Sequence, residues 1–224
     1  MTDVAASTET IGDNAYRRIR ADIIFGRIAP GQKLKLEGLK DSYGASVSTL
    51  REILSRLTSE GLVVAEGQRG FEAAPVSVEN LREVAALRQL LEGFALEQSF
   101  ASGDVEWEGR VVAAHHKLSA LEARMRDGDM SQTELWKRYD WEFHQALISA
   151  CGSKVLMDTH AAIFDKYLRY QMIALSFRGD IAAKEHKIML EAALKRDAKT
   201  ARSVLEKHVS GGVEHALATG SIRD

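Results

Sequence analysis

Between Leu36 and Ala74, glycines cut the chain into pieces that suit only short amphipathic helices and a hairpin. Residues 36–43 carry Leu36, Leu39 and Tyr43 at helical spacing, and Gly44 supplies the left-handed backbone that stops that helix. Ser46 is a candidate N-cap for a following helix. The inward face of this helix is expected to be Val47, Leu50, Leu54 and Leu57, with Ser48, Thr49, Arg51, Ser55 and Arg56 nearer solvent. Gly61 ends it. Residues 62–65 and 70–74 read as two short strands joined by a tip at 66–70. Upstream, a helix is expected over 14–27, capped by Asn14, ended near Gly26 and striped with Ala15, Ile19, Ile23 and Ile24. Helix, helix, tight turn, helix, hairpin is the plan of a winged helix-turn-helix, whose helix after the turn enters the major groove of DNA.

From Ser77 onward every apolar period is helical, starting with Leu81, Val84, Leu87, Leu90, Leu91 and Phe94. Gly103, Gly128, Gly152 and Gly179 punctuate this part, which predicts six long helices in an antiparallel bundle. The expected architecture is mainly α: a disordered tail over 1–13, a DNA-binding unit over 14–75, and an all-helical unit over 76–220 that binds ligands and dimerises. No apolar run is long enough to span a bilayer, and the polar, acidic first residues do not resemble a secretory signal. The one cysteine, Cys151, excludes an internal disulfide and a cysteine-based zinc site, in keeping with a cytoplasmic protein. Net charge is −2, yet residues 14–75 hold ten Lys or Arg against seven Asp or Glu. A mildly basic module on a slightly acidic body suits double-stranded DNA as a partner.

Lys35, Ser46, Ser48, Thr49 and Arg51 are the candidate DNA contacts around the recognition helix, and Gln68, Arg69 and Gly70 those of the hairpin tip. Hydroxyls can reach phosphate or base, and Arg51 can grip guanine with two hydrogen bonds or clamp a phosphate. In the helical unit, Asp140 and His144 are four residues apart and share a helix face. His186 and His208 each stand mid-helix in register with apolar neighbours. One carboxylate and three imidazoles suit a divalent transition metal such as Zn, Ni, Fe or Mn with open positions. Spacing alone equally allows histidines that merely satisfy core hydrogen bonds, the role expected for His115, His116, His160 and His215. Arg88, within an apolar helix, needs a partner. Glu92 is one candidate, and the carboxylate of a bound organic acid is another. Tyr167, Arg169, Tyr170 and Arg178 are weaker pocket candidates, with Tyr170 taken as the second effector contact.

Several runs carry a resemblance: Pro30-Gly31-Gln32-Lys33-Leu34, Leu50-Arg51-Glu52 with Leu54 and Leu57, Glu60-Gly61-Leu62-Val63, and Arg69-Gly70. With them the chain resembles GntR-family transcriptional regulators, and its later helices resemble the FCD ligand-binding domain of the FadR-type branch. The resemblance implies a homodimeric DNA-binding regulator, a repressor, released from its operator by a small carboxylate. It also implies that Asp140, His144, His186 and His208 fall on metal-ligand positions. Within the branch the chain is similar to regulators of glutarate and γ-aminobutyrate catabolism, implying a dicarboxylate effector such as glutarate. Val47 stands where family members often have arginine, so the operator sequence does not carry over. The rival reading is a metal-dependent hydrolase or lyase using the Asp/His site, against which stand the missing HExxH, nucleophile-elbow and phosphate-loop motifs.

Overall fold

The computed structural model describes residues 10–67, 70–174 and 177–222. The chain divides into two compact units, Met1–Pro75 and Val76–Asp224.

The first unit contains α1 (Ile11–Ile24), α2 (Leu36–Tyr43), α3 (Val47–Ser59), β1 (Val63–Ala65) and β2 (Phe71–Ala73). Helix α1 starts earlier than its sequence suggests. Thr10, not Asn14, is the cap, accepting from the Asp13 amide at 3.0 Å, so Ile11–Asp13 belong to the helix rather than to a tail. Both residue types cap well, and the earlier one also recruits Asp13 to the positive helix end. Ala15, Ile19 and Ile23 of α1 pack with Leu50, Leu54 and Leu57 of α3, all completely buried. Burying each leucine or isoleucine contributes roughly 1.5–3 kcal/mol. Ile53, not Val47, completes the inward face of α3, because Val47 is the first residue of the helix and stays half-exposed. The strands pair antiparallel with Val64 opposite Glu72. A third chain segment joins them: Lys33 bridges Glu72, Leu34 N–H donates to Phe71 O at 2.8 Å, and Ala73 N–H donates to Gln32 O at 2.9 Å.

The second unit contains α4 (Val78–Ser102), α5 (Val105–Arg126), α6 (Thr133–Ile148), α7 (Lys154–Ile173), α8 (Asp180–Leu194) and α9 (Ala198–Ala218). Neighbour contacts run α5–α6–α7–α4–α9–α8 and back to α5, a closed ring. Ser77, Asp104, Ser153 and Asp197 each cap the helix that follows through a side-chain oxygen. The corner between α8 and α9 has no glycine. Arg196 takes a left-handed conformation there (φ 59°), at a cost of about 1–3 kcal/mol. Its Nη2 compensates by donating to Gly103 O at 2.9 Å and Glu108 Oε1 at 2.6 Å, with its guanidinium 4.5 Å from the Trp107 ring centroid. Inside α9, Gly212 has no room for a Cβ, which would lie 2.2 Å from Tyr167 Oη. That close approach of α9 to α7 forms one wall of the polar centre of the ring.

Candidate metal centre and DNA-reading face

Three of the six helices bring Asp140 and His144 (α6), His186 (α8) and His208 (α9) together, with α4 and α5 supplying supporting carboxylates. One ligand atom from each of the four lies within 4.8 Å of the others. All four are buried inside the ring. His186 Nε2 is 3.2 Å and His144 Nε2 is 3.8 Å from Asp140 Oδ1.

Each histidine is held from behind by its own carboxylate. His144 Nδ1 donates to Glu92 Oε1, His186 Nδ1 to Glu122 Oε1 at 2.7 Å, and His208 Nδ1 to Glu185 Oε2 at 2.8 Å. Such a bond fixes the ring and the tautomer, leaving the Nε2 lone pair facing its fellows. Nε2 of His144 is buried without a hydrogen-bond partner among the described residues, and Nε2 of His186 has only Asp140 Oδ1, 3.2 Å away, to face. Buried polar atoms left this way are uncommon and call for an explanation. Sequence spacing offered Glu92 as a partner for Arg88, which the structure shows, but gave no signal for its bond to His144 or for Glu122 and Glu185, because a glutamate on a helix is usually solvated.

The charge states of Asp140, His144 and His208 favour cation uptake, whereas that of His186 opposes it. Burial opposes charge on all three imidazoles, keeping His144 low and, with the neighbouring His186 and His144, His208 well below its ordinary value. Burial is outweighed at His186, where contacts with Asp140 and Glu122 push the pKa up to about 9. Asp140 resists burial too, held well below the usual carboxylate range by Lys137 and His186. The raised His186 value stabilises the metal-free fold fully below an unfolded pKa of about 6.5, and this contribution is lost as pH rises through about 9. A metal must displace that proton. Loading at pH 7 is expected to release about one proton per ion, with affinity climbing from pH 7 to 9. Calorimetry in buffers of different ionisation enthalpy measures this; zero proton release contradicts it.

Arg88 is almost fully buried beside the cluster. Its Nε donates to Glu92 Oε2 at 3.0 Å and its guanidinium is 4.2 Å from the Phe164 ring centroid. Its Nη2 has no partner among the described residues. Arg88, Lys137, Asp140, Tyr167, His186 and His208 line a cavity of about 20 Å³, room for about one water molecule. Arg178 also reaches it, donating to His208 O at 2.7 Å and to both Glu185 oxygens. Lys137, which sequence reasoning passed over, is buried with Nζ 3.6 Å from Asp140 Oδ2. Tyr170 does not line the cavity. Its hydroxyl donates to Asn80 Oδ1 at 2.8 Å at the start of α4, so Tyr167 replaces it as the tyrosine of the site. Three residues along a helix is not a full turn, which sends the two rings to different neighbours. His160 is a satisfied core histidine, bonded to Glu92 and Gln145.

In the first unit, Lys35, Ser48 and Arg51 are exposed. Ser46 caps α3, accepting from the Thr49 amide at 3.2 Å, and its hydroxyl also bonds those of Ser48 and Thr49. Ser46 and Thr49 therefore shape the start of the helix, while Arg51, with no ion pair or hydrogen bond among the described residues, remains free to reach a ligand. Gly70 closes the hairpin (φ 97°), accepting from Glu66 N–H at 2.9 Å. Gln68 and Arg69 lie outside the described residues.

Residues 11–72 match the bacterial regulatory proteins of the gntR family, and residues 83–211 match the FCD domain. The chain is 34% identical to the HTH-type transcriptional regulator BphR of Paraburkholderia xenovorans (strain LB400), covering 97% of this chain and 90% of that protein. It is 32% identical to the HTH-type transcriptional repressor GlaR of Escherichia coli (strain K12), covering 88% and 91%. Among solved structures, E. coli McbR/YncC has the same fold, with a TM-score of 0.76 at 17% identity over 93% of this chain and 98% of that one. The two sequence relatives are named as HTH-type transcriptional regulators and both matched domains are those of such regulators, which sets aside the hydrolase or lyase reading. The chain belongs to the GntR family of bacterial transcriptional regulators, with an FCD domain as its second unit.

Proposed function

We propose that this regulator is a cytoplasmic, homodimeric repressor that holds a divalent transition metal on Asp140, His144, His186 and His208 and releases DNA when a small organic acid binds beside it. The carrying observation is the set of three imidazoles, each fixed at Nδ1 by a separate glutamate and gathered around Asp140, with His144 Nε2 buried and lacking a hydrogen-bond partner among the described residues. One carboxylate with three nitrogens fits Zn, Ni, Fe or Mn. An ion held by these four residues would supply Lewis acidity toward an anionic oxygen. Arg88 then supplies its unpartnered Nη2 to the same carboxylate. Because the cavity has room for only about one water, the acid must open it. Arg88 lies on α4, the first helix after Pro75, so displacement of α4 is transmitted to the linker of the DNA-reading unit. Release requires that the acid bind the open arrangement more tightly than the closed one. The sequence resemblance makes glutarate the first compound to test.

Two copies would present two α3 helices to half-sites about one helical turn apart. Arg51 is the base- or phosphate-reading residue. On a duplex selected from a random pool, Arg51→Ala is expected to weaken binding about tenfold or more at fixed salt. Undiminished affinity in an anisotropy titration contradicts the reading of α3.

A further inference from the structure

The polar cavity has an apolar neighbour. A second cavity of about 170 Å³ lies against Met125 at the end of α5, Met172 of α7, and Met130 and Phe177 on the connecting segments. Trp136, Lys137 and Gln171 line both cavities and form their common wall. The two chambers differ in chemistry. The first gathers Arg88, Lys137 and the Asp/His cluster, whereas the second is lined mainly by thioethers and aromatic rings. Methionines make an adaptable apolar lining that accepts varied shapes. An apolar cavity of about 150 Å³ is large enough to bind benzene.

The shared wall also carries an unused donor. The indole N–H of Trp136, a residue only 3% exposed, has no acceptor among the described residues. The edge of its ring system packs against Phe177, with ring centroids 5.1 Å apart.

The geometry points to an effector in two parts: a carboxylate head held in the Arg88 chamber and an apolar body, about the size of a benzene ring, in the Met125–Met172–Phe177 chamber. This rests on the effector reading above and narrows it. A dicarboxylate fits poorly, because its second charge would enter a chamber whose one cation, Lys137, already faces Asp140. Burying an unpaired carboxylate is costly. Burying a ring-sized apolar group is favourable. A carbonyl or hydroxyl oxygen between head and body would meet the Trp136 N–H.

The test is calorimetric titration of the zinc-loaded full chain with phenylbutanoate and with glutarate. Phenylbutanoate is expected to bind about tenfold or more tightly than glutarate. Met130→Trp narrows the apolar chamber from a half-exposed position that spares the fold. It is expected to erase that preference by weakening phenylbutanoate about tenfold or more, with a much smaller change for glutarate. Glutarate binding as tightly as phenylbutanoate, or a preference that survives Met130→Trp, overturns the two-chamber inference and leaves the effector reading standing. If neither acid binds, the effector reading itself falls, and the inference with it.

Discussion

His186→Ala is expected to abolish tight metal binding, lowering affinity more than about a hundredfold. Loss of even an outer carboxylate behind a ligand typically costs ten- to a hundredfold in metal affinity, and this substitution removes a ligand itself. It also leaves Glu122, buried and bonded to His186 Nδ1, without that partner. Metal held by the folded chain would stabilise it by mass action, so the unmutated chain is expected to melt higher with added metal and the variant is expected to lose that rise. His160→Ala is the control. That ring is just as buried and also bonded to Glu92, but it lies outside the four-residue cluster and should retain the ion. Elemental analysis after dialysis distinguishes the two. A His186→Ala protein with full metal content contradicts the assignment.

Arg88→Ala is expected to destabilise the metal-free fold by about 3–5 kcal/mol, the range for breaking a buried ion pair by removing one partner. Burial by itself would raise the Glu92 pKa, yet His144 and Arg88 hold it well below the usual carboxylate range. Without Arg88, the His144 and His160 rings remain beside Glu92 and no permanent cation offsets the buried charge. The loss also removes packing of the guanidinium against Phe164 and Tyr167, whose ring centroids are 4.2 and 4.8 Å away. Arg88→Lys separates stability from sensing. Its ammonium restores charge opposite Glu92 but not the planar fork that can hold Glu92 and a bound carboxylate at once. It should regain most of the stability while responding poorly to acids. Urea unfolding that places Arg88→Ala within 1 kcal/mol of the unmutated chain contradicts this account of the pair.

Local chemistry was legible where a short element had one plausible face. The bounds of α2 follow from Leu36, Leu39, Tyr43 and Gly44, because the glycine accepts the left-handed backbone the turn requires. The start of α1 was ambiguous because Thr10 and Asn14 are both good caps, and only the structure shows Thr10 bonded to the Asp13 amide. The strand through Lys33 left no trace in the sequence, since a single bridge imposes no alternation. All four members of the Asp/His cluster were named from the sequence, but spacing alone pairs only Asp140 and His144, one helical turn apart, and the family resemblance supplied the rest. His186 and His208 join them only through the packing of α8 and α9, which no spacing rule encodes. The glutamates behind the histidines, the buried Lys137, and the choice of Tyr167 over Tyr170 were set by tertiary contacts alone.

The measurement that bears most directly on metal-supported sensing is operator affinity at fixed salt in four conditions: metal-loaded or metal-stripped protein, each with and without a bound acid. The account predicts that the acid weakens DNA binding about tenfold or more in the loaded protein, within the usual range of allosteric coupling, and leaves the stripped protein unaffected. Equal weakening with and without metal, or an acid that binds the loaded protein without altering its hold on DNA, would contradict it.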